Sequence, residues 1–481
     1  MRPNAVKKQS VQYRVWNKQQ CAEVANAVFR VLERTGCLIQ NKEARHLLKE
    51  AGCFLSGERV KIPQTLMRWA IDSAPSAITF YDRFGKPAMK LGPYEVNFGP
   101  VIGDTFILDI ETGEKRRGLK TDAVNAGLVC DALPNLAWSS AVALVSDCEP
   151  QLADIYEIRH LLPHTTKPVM CWSHSTKNLI DILEMFEVVA GSPENLVERP
   201  MGICLICPVD PLIHTDNGLS QIIYASKKRF PIVYIAGVSF GCIGPITLAG
   251  SIVVGMADTL VGLLISQLTT KGTPFVVSKF SDNLDMKTGT ISHSRPELLL
   301  ANAASADLFR YLDLPFCLNY GGTDTGALNE QYLFDIAINY HHGYLSGTNM
   351  NFALGALEGG NSSCLECLVL GDEVISYVGH LIDGIEVSDY TLAEDLIHKV
   401  GPGGNFLAEK QTSRHVRDFW EPSFLVGQSH EKWTAGKRRI GNQLRERVKK
   451  IIKQGPQNPL DRRTIKELDV IVERAEKQIN S

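Results

Sequence analysis

The sequence has no strong excess of charge of either sign. Its 481 residues include 50 Lys and Arg against 53 Asp and Glu, which gives a formal net charge of −3. A chain without a basic field has little to attract a nucleic acid or an anionic membrane surface. We therefore expect neither nucleic acid nor membrane among its partners.

An uninterrupted apolar run of membrane-spanning length is also missing. The longest apolar stretch, 246–268, contains Asp258, Gln267 and several glycines. Because a charge inside a bilayer is costly, this stretch predicts a buried core helix rather than a membrane span. Residues 1–20 are polar and basic, without the apolar segment of a secretory signal, so we expect a cytoplasmic protein.

Motifs of the common cofactor and hydrolase classes are scarce. The chain has no GxGxxG after a strand, no phosphate loop, no HExxH and no Ser/His/Asp nucleophile elbow. Its twelve cysteines are scattered among apolar neighbours, and the CxxC pairs Cys204/Cys207 and Cys364/Cys367 lack the further ligands of a zinc site. We expect packed thiols and no metal site.

From about residue 94, short β-rich apolar runs alternate with longer helical segments. Such alternation is typical of a parallel sheet, and about eight repeats of strand and helix close a barrel. We therefore predict an α/β fold, a (β/α)8 TIM barrel over residues 94–400. The eight candidate strands are 95–99, 138–146, 168–173, 202–208, 232–238, 274–280, 315–320 and 351–357.

Two flanking regions have a different character. Residues 1–93 combine apolar positions at helical spacing with short β-like runs, which predicts an N-terminal helical and small β accessory region. Residues 401–481 begin with a Gly-Pro-Gly-Gly turn and end in segments of alternating charge, which predicts a C-terminal extension with charged, solvated helices.

Aromatic and acidic residues cluster just after the predicted strands. In a barrel of this kind the active site lies at the C-terminal strand ends, and aromatic faces there attract cations. Glu358 stands between Leu357 and two glycines, where solvation alone does not explain a carboxylate. The ordinary alternative is that such aromatics only pack, and that Asp210 and Asp216 are turn and cap residues. The aromatics are Phe98, Trp172, Phe240 and Tyr320.

Several segments resemble one enzyme family. The run Gly241–Gly250 reads GCIGPITLAG and is similar to the GxxxPxTLAG segment of the trimethylamine:corrinoid methyltransferase family. Segments 109–122, 322–324, 357–373 and 401–407 match other segments of that family in the same order. The resemblance thus extends over nearly the whole chain.

This resemblance implies an enzyme that binds a small methylated amine and passes a methyl group to Co(I) of a separate corrinoid (cobalamin) protein. No cofactor would be tightly bound to the chain itself, which we expect to form a homo-oligomer. The family's archaeal trimethylamine enzymes carry pyrrolysine, whereas this sequence contains only the twenty standard residues. Members without pyrrolysine include enzymes for quaternary amines such as glycine betaine, which is therefore the expected substrate class.

The candidate site residues follow from the predicted C-terminal strand ends and the resemblance together. Trp172, Phe240 and Tyr320 are expected to surround the ammonium group, with Phe98 and His341 shaping the pocket. Glu358 and Asp324 are the candidate catalytic carboxylates. Two alternatives stay open: a lyase or aldolase acting on a small carboxylate, for which Lys279 is the one well-placed lysine, and a non-catalytic betaine-binding protein.

Overall fold

A parallel barrel forms the centre of the molecule. The computed structural model describes residues 12–425, 427, 429–431, 434 and 440–479. Seven barrel strands pair side by side in parallel register, in the order in which they follow one another along the chain. They are Asn97–Pro100, Val169–Trp172, Gly202–Ile206, Ile232–Phe240, Phe275–Leu284, Phe316–Asn319 and Met350–Leu354.

Residues 136–143 complete the ring between the first and second of these strands. Parallel bridges join Phe98 to Leu136 on one side and Ser139 to Val169 on the other. This segment forms no continuous ladder, because the loop after the first strand bonds to it, with Gly103 N donating to Ala141 O at 3.0 Å. The predicted eight-stranded barrel is confirmed, and its second strand is irregular.

Eight helices alternate with the strands and cover the barrel. Their spacing agrees with the sequence pattern, except that the last begins earlier than predicted. They are Lys120–Ala132, Ala153–Leu161, Thr176–Ala190, Asp216–Lys227, Leu248–Thr269, Pro296–Tyr311, Glu330–Leu345 and Leu365–Ile382. Short helical turns also occur at Pro150–Leu152, Leu162–His164 and Pro193–Glu198.

The helix Leu248–Thr269 is long and apolar enough to cross a membrane by length and composition. In this fold it packs on the strands Ile232–Phe240 and Phe275–Leu284 and is covered outside by the helix Lys18–Arg34. Burial on both sides explains its apolar composition, which confirms the prediction of a core helix.

Smaller elements surround the barrel. Before it come the helices Lys18–Arg34, Lys42–Glu50 and Gln64–Ser73. The strands Cys37–Ile39, Phe54–Ser56 and Arg59–Lys61 form a sheet with Ile213–His214, and Ile78–Tyr81 pairs with Pro87–Leu91. Near the strand ends, Phe106–Leu108, Lys115–Arg117, Ala356–Leu357 and Ser362–Ser363 form another sheet, and Ile291–Ser292 extends the barrel strand Phe275–Leu284.

After the barrel the chain forms short helices and then two long ones. The short elements are Asp389–Leu392, Glu394–Val400, Lys410–His415 and Val416–Asp418. The long helices, Ile440–Gln454 and Arg462–Ile479, bury one apolar stripe each against barrel helices. Residues 436–439 and 480–481 of the predicted charged tail lie outside the described residues, and the domain boundaries at 93 and 400 stay a prediction.

Alternation along the strands separates two packing layers. Side chains of Tyr234 and Val238 face the helix Leu248–Thr269, as shown by the close approach of its Gly262 and Gly255. Because side chains of a strand alternate between faces, the intervening residues point into the barrel. The lower interior is closed by Met170, Ile203, Val233, Val276, Cys317 and Met350, all buried.

Candidate active site

Above the closed interior, the barrel opens into a cup at the C-terminal ends of its strands. Inward positions become partly or fully solvent-exposed at this level, whereas the positions below them are buried. An accessible hollow above a filled barrel is where TIM-barrel enzymes bind substrate. The accessible residues on the inward faces are Trp172, Leu205, Cys207, Gly237, Phe280 and Asp282.

Two stacked aromatic rings line one side of the cup. Phe280 and Phe352 have ring centroids 5.3 Å apart and planes inclined by 30°. Phe280 lies two residues beyond the inward Ser278, and Phe352 two beyond the inward Met350, so the alternation of their strands directs both rings to the interior. The pair presents apolar π surface next to the opening.

A carboxylate follows the aromatic pair on the same strand. Asp282 lies two residues after Phe280 on the same face, at the rim of the cup. Its Oδ1 atom is 3.2 Å from Nε2 of His293, which is the only polar partner recorded for that carboxylate among the described residues. A carboxyl group therefore lies within the cup beside the π surface.

Asp324 holds two rim loops together. Its carboxylate accepts hydrogen bonds from Ser292 Oγ and from the backbone N of His293, and its own backbone N donates to Ser294 Oγ at 3.0 Å. Bonds to a charged acceptor are the stronger kind, so this carboxylate fixes the hairpin after the strand Phe275–Leu284 against the loop 321–327. The geometry gives Asp324 a positioning role at the rim.

Glu358 lies at the rim in an ion pair. It contacts Lys115 Nζ and Ser362 Oγ, and these hydrogen bonds lower the pKa of its carboxyl group. Its φ of 51° begins a left-handed turn continued by Gly359 and Gly360. A Cβ on Gly359 would come within 2.7 Å of Ile291 O, so this turn needs glycine to pack against the hairpin.

Trp172 is held at the opposite side of the mouth by a buried acid. Its Nε1 donates to Glu157 Oε2 at 2.7 Å, and Val145 N donates to Oε1 at 3.2 Å. Burial raises the pKa of Glu157 to about 8. The carboxyl group is then largely protonated at neutral pH, and it orients the indole without adding charge.

Asp210 belongs to a buried acid pair behind the cup. Its Oδ2 accepts from Gly237 N at 2.7 Å, while Asp258 Oδ1 accepts from Leu212 N at 2.9 Å. The remaining oxygens, Asp210 Oδ1 and Asp258 Oδ2, are buried without a hydrogen-bond partner among the described residues. Burial and the neighbouring Asp210 carboxylate raise the pKa of Asp258, which favours the protonated form of one acid of the pair.

Four predicted pocket residues lie outside the cup. Phe240 and Tyr320 sit on outward strand faces: Phe240 is buried under Lys279 Nζ, and the Tyr320 hydroxyl accepts from Ser346 Oγ at 3.1 Å. Phe98 packs beneath the helix Glu330–Leu345, with ring centroids 5.5 and 4.9 Å from Tyr340 and Tyr344. His341 lies on that helix's outer side.

The alternative of a Schiff-base lysine has no support in this geometry. Lys279 faces outward, and a Cβ on Gly255 of the helix Leu248–Thr269 would meet its Cγ at 2.4 Å. Its side chain is fully buried, which lowers the pKa of the amine to about 7. A lysine packed behind the barrel wall cannot reach a substrate in the cup. No group of three or more potential metal ligands occurs within the described part of the chain.

Sequence reasoning missed the inward aromatic residues. Phe240 and Tyr320 were predicted because they lie at the ends of their strands. That position sets how near a residue lies to the barrel mouth, but not whether its side chain points into the barrel or toward the helices. Counting in steps of two from the buried interior positions would have selected Phe280 and Phe352 instead. No sequence pattern predicts the role of Glu157, because its hydrogen bond with Trp172 depends on how a helix packs against a strand end.

Comparisons with known proteins agree with this architecture. The family described as trimethylamine methyltransferase (MTTB) matches residues 2–480. A trimethylamine methyltransferase MttB of Desulfitobacterium hafniense is 29% identical over 456 residues, covering 94% of this chain and 92% of that protein. One of Methanosarcina barkeri is 28% identical, covering 97% and 96%. A glycine betaine methyltransferase of Desulfitobacterium hafniense is 25% identical and covers 92% of both proteins.

A solved structure supports the fold alone. The crystal structure of the Methanosarcina barkeri monomethylamine methyltransferase (MtmB) superposes with a TM-score of 0.51 at 12% identity, covering 92% of this chain and 89% of that one. Fold and site together define a TIM-barrel enzyme with an open, π-lined cup. The chain belongs to the trimethylamine methyltransferase family and is a methyltransferase. Family membership disfavours both the lyase or aldolase and the non-catalytic binding protein.

Proposed function

We propose that this protein transfers a methyl group from a quaternary amine of the glycine betaine class to a corrinoid protein. The observation that carries the substrate class is the stacked Phe280 and Phe352 pair beside the Asp282 carboxylate. A permanent cation gains from π faces and from nearby negative charge, and neither depends on protonation of the ligand. The glycine betaine methyltransferase among the relatives supports the same class.

The reacting centre is expected to demand little acid or base chemistry from the chain. A reduced cobalt atom carried by the corrinoid partner would supply the nucleophile that accepts the methyl group. A quaternary ammonium group that loses a methyl leaves as a neutral tertiary amine, so no residue has to protonate it. The chain's tasks are then to bind the cation, orient one methyl group toward the opening and exclude water.

Individual residues fit these tasks. Phe280 and Phe352 would contact the methyl groups, and Asp282 would lie beside the positive nitrogen. Trp172, held by the protonated Glu157, would close the opposite side without competing charge. Asp324 and Glu358 would act by fixing the rim loops that define the opening.

The outer rim fits a macromolecular partner. Ile246 and Met286 are exposed and meet near Gly241, where a Cβ would lie within 2.8 Å of Ile246 Cδ1 and 3.3 Å of Met286 Cε. Exposed apolar side chains at the edge of a pocket are typical of a docking surface. This rim would receive the corrinoid protein, which brings the cobalt to the mouth.

Methyl transfer can be tested directly. The purified chain is mixed with cob(I)alamin and one candidate amine, and methylcobalamin formation is followed by absorbance. Glycine betaine, carnitine, γ-butyrobetaine, proline betaine and trimethylamine form the panel. We expect at least one quaternary amine to be demethylated faster than trimethylamine. Methylation of cobalt by trimethylamine alone would refute the proposed substrate class, and no methylation with any amine or corrinoid protein would refute the reaction.

A further inference from the structure

One glycine of the barrel wall faces the cup. The strand Ile232–Phe240 is buried along its whole length except at Gly237, which lies on the inward face at the height where the barrel opens. A glycine inside a strand has no side chain to pack and loses much conformational freedom on folding, so it weakens the strand. Its presence in the wall of the cup therefore needs a physical reason.

The backbone does not require a glycine at this position. Gly237 is not among the described residues that have a positive φ, so residues with a side chain can adopt its conformation. The strand also has no bulge there, because its nine residues from Ile232 to Phe240 pair in unbroken parallel register with residues 275–283. Local backbone geometry is thus excluded as the reason.

Packing inside the protein does not require a glycine either. A Cβ atom on Gly237 would have a single neighbour within 4 Å among the described residues, Asp210 Oδ2 at 3.8 Å, which is an ordinary contact distance. The outer face of the same wall is different, because a Cβ on Gly255 of the helix Leu248–Thr269 would come within 2.4 Å of Lys279 Cγ. The side-chain place at Gly237 opens into the cup instead. Close approach of a ligand is the reason that remains for a strand glycine.

Two side chains border this open place, which we call the Gly237 notch. Phe280 pairs directly with Gly237 in the parallel register, so both face the cup at the same height. On the other side, the strand Gly202–Ile206 ends three residues before this height, at the pair Ile206 and Tyr234. The Asp210 carboxylate replaces its main chain by accepting from Gly237 N at 2.7 Å. The notch therefore has a π surface on one side, a carboxyl group on the other and backbone at its base.

These surfaces match a methyl group attached to a positive nitrogen. The methyl hydrogens of a quaternary ammonium ion carry part of its charge, so they are attracted to carboxyl oxygens and to π faces. A contact between a C–H carbon and an oxygen spans about 3.3 to 3.6 Å. An atom in the Cβ place of Gly237 would lie 3.8 Å from Asp210 Oδ2, close to that range.

We propose that Gly237 determines substrate specificity by leaving space for one methyl group of the ammonium head, which binds between Phe280 and Asp210. This inference rests on the proposed function, because the ligand has to be a quaternary amine. A methyl group held in the wall fixes the position of the nitrogen. The other substituents then extend into the open cup, where a second methyl group can face the mouth.

Gly237→Ala tests this proposal by placing a methyl group of the protein where a methyl group of the ligand would bind. The variant should keep its circular dichroism spectrum and melting temperature, because the added Cβ stays at contact distance from its neighbour. In calorimetric titration the dissociation constant of glycine betaine should rise about tenfold or more. N,N-dimethylglycine carries one methyl group fewer, so its dissociation constant should change less than about threefold.

Two further variants separate the notch from other effects. Gly441→Ala adds the same methyl group in the outer helix Ile440–Gln454, where a Cβ has no neighbour within 4 Å in the described part of the chain. It should leave the affinity for both ligands unchanged. Asp210→Asn keeps the shape of the side chain and an acceptor for Gly237 N. It should weaken glycine betaine about fivefold or more and leave 3,3-dimethylbutanoate, which has carbon in place of the nitrogen, unchanged.

Unchanged affinity of the Gly237→Ala variant for glycine betaine, or an equal loss of affinity for glycine betaine and dimethylglycine, would overturn the proposal. All of these measurements record binding and need no corrinoid protein. An unmodified protein that binds glycine betaine without transferring a methyl group, while the Gly237→Ala variant loses that binding, would count against the proposed reaction alone. Methyl transfer by the Gly237→Ala variant with undiminished kcat/KM would count against the notch alone.

Discussion

The cup and the segment 383–425, which we call the outer arm, differ in the kind of side chain that lacks its usual surroundings. Behind the cup, the buried acids Asp210 and Asp258 each have a carboxylate oxygen without a hydrogen-bond partner among the described residues. The outer arm does the reverse and exposes apolar side chains whose polar neighbours are satisfied. Unpaired polarity points to a small ligand, and unpaired apolar surface to a protein partner.

The largest effect is expected at Glu157, the buried acid that holds Trp172 at the side of the cup. Its raised pKa means that the folded state keeps a proton which the unfolded chain loses above about pH 4.5, so stability falls as pH rises toward about 8. Glu157→Gln removes this dependence. Relative to the unmodified protein, the variant should gain roughly 4 kcal/mol of unfolding free energy between pH 5 and pH 8, measured by chemical denaturation.

The exposed Glu149 in the preceding loop provides the control, since Glu149→Gln should leave the pH dependence unchanged. A Glu157→Gln variant whose stability falls with pH as steeply as that of the unmodified chain would show that the buried acid is already ionised. The Trp172 indole would then be held by a negatively charged carboxylate, so both sides of the cup would carry an acidic group.

A slightly smaller effect is expected where the outer arm is anchored. Glu373→Ala removes the side-chain acceptor of three backbone N–H groups, and a hydrogen bond contributes about 0.5 to 1.5 kcal/mol. We expect local opening of residues 420–425 to become easier by about 3 kcal/mol, measured by hydrogen exchange. Glu386→Ala, in an exposed part of the arm, should change it by less than 0.5 kcal/mol.

The next effect concerns the π surface of the cup. Phe280→Leu keeps an apolar side chain and removes the ring, at a loss of about 1 to 2 kcal/mol of cation binding. The expected result is a five- to thirtyfold lower kcat/KM with the preferred quaternary amine. Phe334→Leu, on the outer side of the helix Glu330–Leu345, should have no effect. Unchanged kcat/KM in the Phe280 variant would place the cation elsewhere.

Glu358 should give the smallest effect. Its charge is already matched by Lys115, and half-exposed ion pairs contribute about 0 to 1 kcal/mol. Glu358→Gln should therefore lower methyl transfer less than about fivefold while leaving substrate affinity unchanged. A loss of a hundredfold or more in kcat would instead make Glu358 a catalytic carboxylate, as the sequence alone suggests.

The barrel was predictable because its signals are local and repeated. Each strand and helix shows its own apolar pattern, and eight such pairs leave few other arrangements.

The cup was harder to predict because its lining depends on which side chains of each strand point into the barrel. A shift of one residue separates Lys279, buried behind the wall, from Phe280, accessible in the cup. The exposed apolar side chains of residues 383–425 were not predicted, because the charged residues around them are typical of a solvated segment.

The central claim is that the cup selects a fixed positive charge, and one pair of ligands tests it. Glycine betaine and 3,3-dimethylbutanoate have nearly the same shape and the same carboxylate, but the second replaces N⁺ by carbon. Calorimetric titration should show at least tenfold tighter binding of the cation, equivalent to about 1.4 kcal/mol. Equal affinity for the two, or tighter binding of the carbon analogue, would contradict a cup built for a quaternary amine.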